Sequence, residues 1–244
     1  MYSARQLTSR VIWDETGKRL YETGTDRGVL YPTQLDSTYS KGVPWSGLIG
    51  VSEKPSGAES NPLFADNIKY VDVVSAETFG ATIEAYTYPD EFAECDGSVE
   101  IMPGVYAGQQ RRKTFGMTYR TILGNDVDLD DYGYKIHLVY GCRAGVTEKG
   151  YKTIGESSDV LTMSWEISTT PIVVNTLIGG KKLRPISTLT FDSTKFSKEF
   201  MAKLEDILYG KDPTTEGGDD GADPRLPLPD EIIKLFNSTV KAAG

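Results

Sequence analysis

The stretch Val160–Ser168 alternates with a period of two, with Leu161, Met163, Trp165 and Ile167 on one side and Thr162, Ser164, Glu166 and Ser168 on the other. Only an extended strand places every second side chain on one face, so this segment is expected to be a strand with one dry and one wet face. The pattern recurs in Tyr134–Arg143, where Tyr134, Ile136, Leu138, Tyr140 and Cys142 oppose Lys135, His137 and Arg143. In Thr114–Leu123 it sets Phe115, Met117 and Tyr119 against Thr114, Thr118 and Arg120. Half-wet strands belong to antiparallel sheets packed on something apolar. The expected fold class is mainly β, a sandwich or barrel.

Further strands are expected at Ile68–Val74, Ala81–Tyr86, Val99–Met102 and Ser187–Phe191. An N-terminal arm, residues 1–20, reads as a hairpin of Arg10–Trp13 and Arg19–Tyr21 around the turn Asp14-Glu15-Thr16-Gly17. The β domain then spans 21–194, broken by a long loop over 32–66 that is rich in Gly, Pro and Ser. Loops of this length are usually functional or disordered, and a partner would order this one.

Past residue 194 the period changes. Phe196, Phe200, Leu204 and Ile207 recur at helical spacing, giving one flanking amphipathic helix over 195–210. Asp192, Ser193 or Thr194 is the expected cap and Gly210 the stop. Residues 211–224 (KDPTTEGGDDGADP) read as an acidic, flexible linker. Residues 225–244 begin Pro-rich and then form a short helix from Pro229, presenting Ile232, Ile233 and Phe236 either to a neighbouring molecule or back to the same subunit.

The formal net charge of −9 argues against gripping a phosphate backbone, which needs a basic patch to release counterions. An acidic surface instead lets a polyanion pass without sticking. No apolar run resembles a signal peptide or is long enough to span a bilayer, and two cysteines make no disulfide framework. The expected setting is a reducing cytosol.

Candidate chemistry is sparse. In TIEAYTYPDEFAECDG (Thr82–Gly97), Asp90, Glu91, Glu94 and Asp96 offer the paired carboxylates a glycosidase needs. The same letters also spell a rigid corner: a strand, a proline, then Tyr86, Tyr88 and Phe92 wedged against the body, with Gly97 in the exit turn. The corner accounts for more of them. NDVDLDDYG (Asn125–Gly133) lacks the glycine and glutamate of a calcium loop and reads as a solvated hairpin turn, with a weak cation site as the alternative. His137 is the single histidine. On a regular strand its odd spacing from Cys142 sends the two to opposite faces. IGGKKL (Ile178–Leu183) lacks the P-loop pattern and reads as a basic turn, able to pair with acids on a neighbouring copy. No catalytic residue, metal or cofactor is expected.

TFGATIEAYTYPDEFAECDGS closely resembles a segment of the major tail tube proteins of long-tailed bacteriophages. The likeness continues through YETGTDRGVLY, GVPWSGLIGVSEKPSGAE, LFADNIKYVDVVSAE and PGVYAGQQRRKTFGMTYRTILGND. It runs on through DYGYKIHLVYGCRA, SSDVLTMSWEISTTP, STLTFDSTK, LEDILYG and PRLPLPDEI, covering most of Tyr21–Ile233. The resemblance implies a sandwich of two roughly orthogonal antiparallel sheets with a flanking helix, not an enzyme. Six copies would close into a ring and rings would stack into a hollow tube in the virion tail, assembled in the host cytoplasm. Long loops and terminal arms would bridge rings, DNA would pass through an acidic lumen without sequence-specific binding, and tape measure and tail terminator proteins would be further partners. Candidate contacts between copies are Asp26, Arg27, Trp45, Phe64, Lys181 and Lys182, of which Trp45 and Phe64 could equally be core. Alternatives are a virion decoration or adhesion module of the same fold, or a carboxylate glycoside hydrolase.

Overall fold

The structure is a computed structural model that describes residues 11–153, 160–178, 180–215 and 221–242, with side chains described as far as residue 237. The first half of the expected N-terminal arm and the centre of the acidic linker lie outside these residues. The strands in chain order are β1 (Tyr21–Pro32), β2 (Val43–Pro44), β3 (Leu48–Glu53), β4 (Ser60–Ala65), β5 (Ile68–Val74), β6 (Gly80–Ala85) and β7 (Val99–Met102). They continue as β8 (Val105–Ala107), β9 (Phe115–Asn125), β10 (Leu129–Ala144), β11 (Met163–Thr169), β12 (Leu177–Ile178), β13 (Lys181–Lys182) and β14 (Thr188–Asp192). Among the described residues two α-helices follow, α1 (Lys198–Tyr209) and α2 (Pro229–Ala242).

Eight strands form one antiparallel sheet in the order β2-β1-β9-β10-β11-β6-β3, with β14 also on β10. It folds into the two leaves of a β-sandwich, and β10 belongs to both. Lys135–Val139 pairs with β14, whereas Cys142–Ala144 pairs with β11. Between these halves the register against β9 slips, from Val139 opposite Met117 to Cys142 opposite Phe115. Gly141 sits in the slip with φ +60, where a Cβ would stand 2.3 Å from the carbonyl oxygen of Thr170. A bulge of this kind bends a strand and lets it turn the corner between leaves. The bent sheet nearly closes, since a Cβ on Gly28 in β1 would be 2.9 Å from a Leu48 methyl in β3.

The bulge also swaps faces. Ile136, Leu138 and Tyr140 pack towards α1 and α2, while Val139, Cys142 and Ala144 join the core between the leaves. Cys142 and His137 are therefore not sent to opposite faces, as a regular strand would have required. The face of β9 carrying Thr118 and Arg120 is not wet either. Thr118 is buried under Tyr31, whose hydroxyl donates to the carbonyl of Leu208 in α1 at 2.7 Å. The helices cover what the alternation left polar.

Several expectations over the loop and termini are corrected. The 32–66 region is not a structureless loop: it supplies β2, β3 and β4. Its scattered apolar residues become sheet once they pair with β1, β6 and β5. In the described part of the N-terminal arm no strand forms; only the turn after Asp14 does, and β1 begins at Tyr21. The cap of α1 is Ser197, whose hydroxyl accepts from the Phe200 amide, rather than a residue of 192–194. Its buried stripe is Phe200, Met201, Leu204 and Leu208, so Ile207 lies to one side. Gly210 ends it at φ +85. The described ends of the acidic segment are tied rather than loose, through the bridge of Lys211 to Ala222 and the 2.6 Å contact of Lys41 with Asp223. Helix α2 folds back on its own subunit, burying Ile232 and setting the Phe236 ring edge-on to Phe196 and Phe200.

Candidate assembly surfaces

Among the described residues three two-stranded hairpins stand apart from the main sheet: β4–β5, β7–β8 and β12–β13. The first turns through Asp66 and Asn67, both in the left-handed region (φ 51 and 61). Two such residues make the turn that matches strand twist, and Asp and Asn tolerate the conformation best. The root is clamped. Ser56 and Thr78 exchange both backbone hydrogen bonds, at 2.9 and 2.8 Å, and their hydroxyls meet at 2.9 Å.

Beyond the root, every residue of β4 and β5 is exposed. Pairing of Leu63 with Val71, Asn61 with Val73 and Ala65 with Ile68 makes one face largely apolar. The other face carries Ser60, Asp72 and Lys69, linked by two 2.6 Å contacts, and the Phe64 ring, 72% exposed. A two-stranded hairpin bare on both faces is marginal in water, and its apolar face needs cover.

The other two hairpins repeat the theme. Ile101, Met102 and Tyr106 are exposed on β7–β8, and Leu177 and Ile178 on β12–β13. The Asp230 carboxylate, at the start of α2, roots the β12–β13 arm by accepting from the amides of Thr176 at 2.8 Å and Asn175 at 3.1 Å. Hydrogen bonds from Thr176 and Asn175 hold its pKa down at about 2.

The six candidate contact residues do not converge. Asp26 accepts two hydrogen bonds from Arg120, Nε to Oδ1 at 2.7 Å and Nη2 to Oδ2 at 2.5 Å, and Arg120 lies over the Tyr134 ring. Those hydrogen bonds hold the Asp26 carboxyl below its usual range. Arg27, at φ +49, reaches Glu205 at 3.9 Å and lies over Tyr209. Both residues thus tie β1 to its own subunit. Trp45 is corrected to core. It is 3% exposed, packs on Phe92 at 4.6 Å and Trp165 at 5.8 Å, and donates from Nε1 to the carbonyl of Thr87. Phe64, Lys181 and Lys182 stay on the open arms.

The Thr82–Gly97 stretch is the corner. Phe92 is fully buried at the centre of the ring cluster, within 5.8 Å of Trp45, Tyr88, Phe115 and Trp165. Tyr86, expected as a wedge, is instead exposed. Asp96 is ion-paired to Arg112 and Lys149, and Glu94 to Lys113. Asp90, Glu91 and Glu94 line an open cleft of roughly 470 Å³.

His137 stacks on Tyr119 and its Nε2 contacts the Thr121 hydroxyl at 2.9 Å. Burial lowers its pKa, opposed by Glu53 and Glu22. Burial pushes the Cys95 thiol up to about 12 and raises that of Cys142 further. In the β9–β10 turn, the Asn125 side chain accepts from the Val127 amide and donates to Asp128 and the Gly17 carbonyl, closing the loop on itself. Among the described residues, no group of three or more His, Cys, Asp or Glu is arranged to hold a metal ion, and no helix is long and apolar enough to cross a membrane. Side-chain exposure on the arms was invisible in the sequence, because β4 and β5 carry the same residue types as core strands.

Comparison with known protein families and with curated proteins finds no match to this chain.

Proposed function

We propose that this chain is a structural subunit of a phage tail tube, self-assembling into stacked, hexameric rings that form a conduit for DNA delivery. The observation that carries the reading is the trio of solvent-bare hairpins with exposed apolar side chains, two of them rooted by hydrogen bonds, on a body that has its own buried core. Such arms are a liability for an isolated molecule and an asset for one that buries them against copies of itself. The likeness of most of Tyr21–Ile233 to tail tube proteins gives that self-association its form. The acid excess suits a lumen that repels phosphates, so part of the −9 is expected to face the bore. The virion tail is then its location, with tape measure and terminator proteins as further partners.

The test is to place a charge on the first arm. Phe64→Glu combined with Val71→Glu leaves the circular dichroism of the unassembled chain unchanged, because both side chains are exposed, and abolishes the large species in sedimentation. Assembly of this variant at wild-type concentration would contradict the reading.

A further inference from the structure

A groove of about 730 Å³ lies between the turn at Thr33–Ser37 and the run Arg111-Arg112-Lys113, with Arg143 of β10 also lining it. Four cations against the single carboxylate of Asp36 make this a basic groove on a chain of net charge −9. Arg112 and Lys113 are held by Asp96 and Glu94. Arg111 and Arg143 are exposed and have no ion-pair partner among the described residues. Leu35 on the rim is fully exposed.

Lys113 also lines the neighbouring acidic cleft, where Asp90 and Glu91 lack ion pairs among the described residues and Glu100 binds only the Gly104 amide. That cleft has an apolar wall of Val99 and Tyr106. Both surfaces are open, each presents the charge that the other lacks, and each carries exposed apolar side chains.

We infer that the exposed rim of the basic groove docks on the acidic cleft of a second copy, pairing Arg111 and Arg143 with Asp90 and Glu91 and setting Leu35 against Val99 and Tyr106. The inference rests on the self-assembly proposed above and names one of its contacts. Complementary charge across an interface fixes register and speeds encounter, while like charges juxtaposed there oppose association. A self-complementary pair of surfaces also discriminates against other partners, which an apolar hairpin face alone does poorly.

The experiment uses the full chain in two charge-reversed forms, Arg111→Glu with Arg143→Glu, and Asp90→Lys with Glu91→Lys. Sedimentation is measured for each form alone and for an equimolar mixture. Each form alone is expected to need about tenfold or more the wild-type concentration to assemble, since its groove and cleft now repel. The mixture is expected to recover, because the acidic groove of one form meets the basic cleft of the other while their unchanged surfaces also fit. Wild-type assembly is expected to weaken between about 0.1 and about 1 M salt, as the Debye length falls from about 10 to about 3 Å. Wild-type behaviour of either form alone, or a mixture that stays dispersed, overturns the groove-to-cleft contact and leaves the tube reading standing. A wild type that never assembles overturns both.

Discussion

The imidazole of His137 lies flat on the ring of Tyr119, centroids 4.7 Å apart and planes 6° from parallel. Around it stand Glu22 from β1, Glu53 from β3, Lys135 beside it on β10 and Thr190 from β14. The Tyr119 hydroxyl donates to Glu53 at 2.7 Å, so the stack links β9 and β10 to the far leaf.

This arrangement fixes a pH dependence. Burial holds the folded His137 pKa below the ordinary value, so the unfolded chain binds the proton more readily between the two. Stability is fully present above about pH 6.5 and falls as the pH drops through the unfolded pKa towards the folded one. Thermal melts of unassembled chain should decline as the pH falls below about 6.5, and His137→Gln should flatten that decline. Glu22, whose pKa is lowered, responds only at more acid pH.

Both thiols should be inert in the folded chain. Cys95 and Cys142 are wholly buried, and their raised pKa values remove the thiolate that alkylating reagents attack. Mass spectrometry after native treatment with iodoacetamide should show no adduct, and the same treatment in denaturant should show two.

Two aromatic truncations should separate core from arm. Trp45→Ala removes the ring packed between Phe92 and Trp165 and should destabilise by about 3–5 kcal/mol in urea unfolding. Phe64→Ala should change monomer stability by no more than roughly 0.5 kcal/mol, its ring being open to water.

Asp26→Asn should lower the stability of the unassembled chain by about 1–2 kcal/mol, because it leaves the largely buried Arg120 guanidinium without its carboxylate. Ala at both Lys181 and Lys182 should cost almost nothing in the same melt. An Asp26→Asn effect seen only in assembled material would move this pair to an interface between copies.

Much of the fold was legible because period two is a strong signal: Met163 to Ile167 and Phe115 to Tyr119 lie in strands, with Trp165, Ile167, Phe115, Met117 and Tyr119 buried together on the apolar face as expected. Helix α2 began at Pro229 as its fixed φ suggests. What escaped was decided by tertiary contact. The bulge at Gly141 exchanges faces along β10, and a lone glycine in an alternating run does not announce it. Trp45 lay in a Gly- and Pro-rich stretch that looked like loop, yet its partners, Phe92 and Trp165, are far along the chain. The bareness of Phe64 was equally hidden, since β4–β5 differs from a core hairpin only in what it fails to touch.

Electron microscopy of the purified chain over rising concentration tests self-assembly most directly. The account predicts hollow filaments of uniform diameter, with stacked rings in side view and sixfold symmetry end-on. Single globular particles at every concentration, or solid filaments without a lumen, would contradict it.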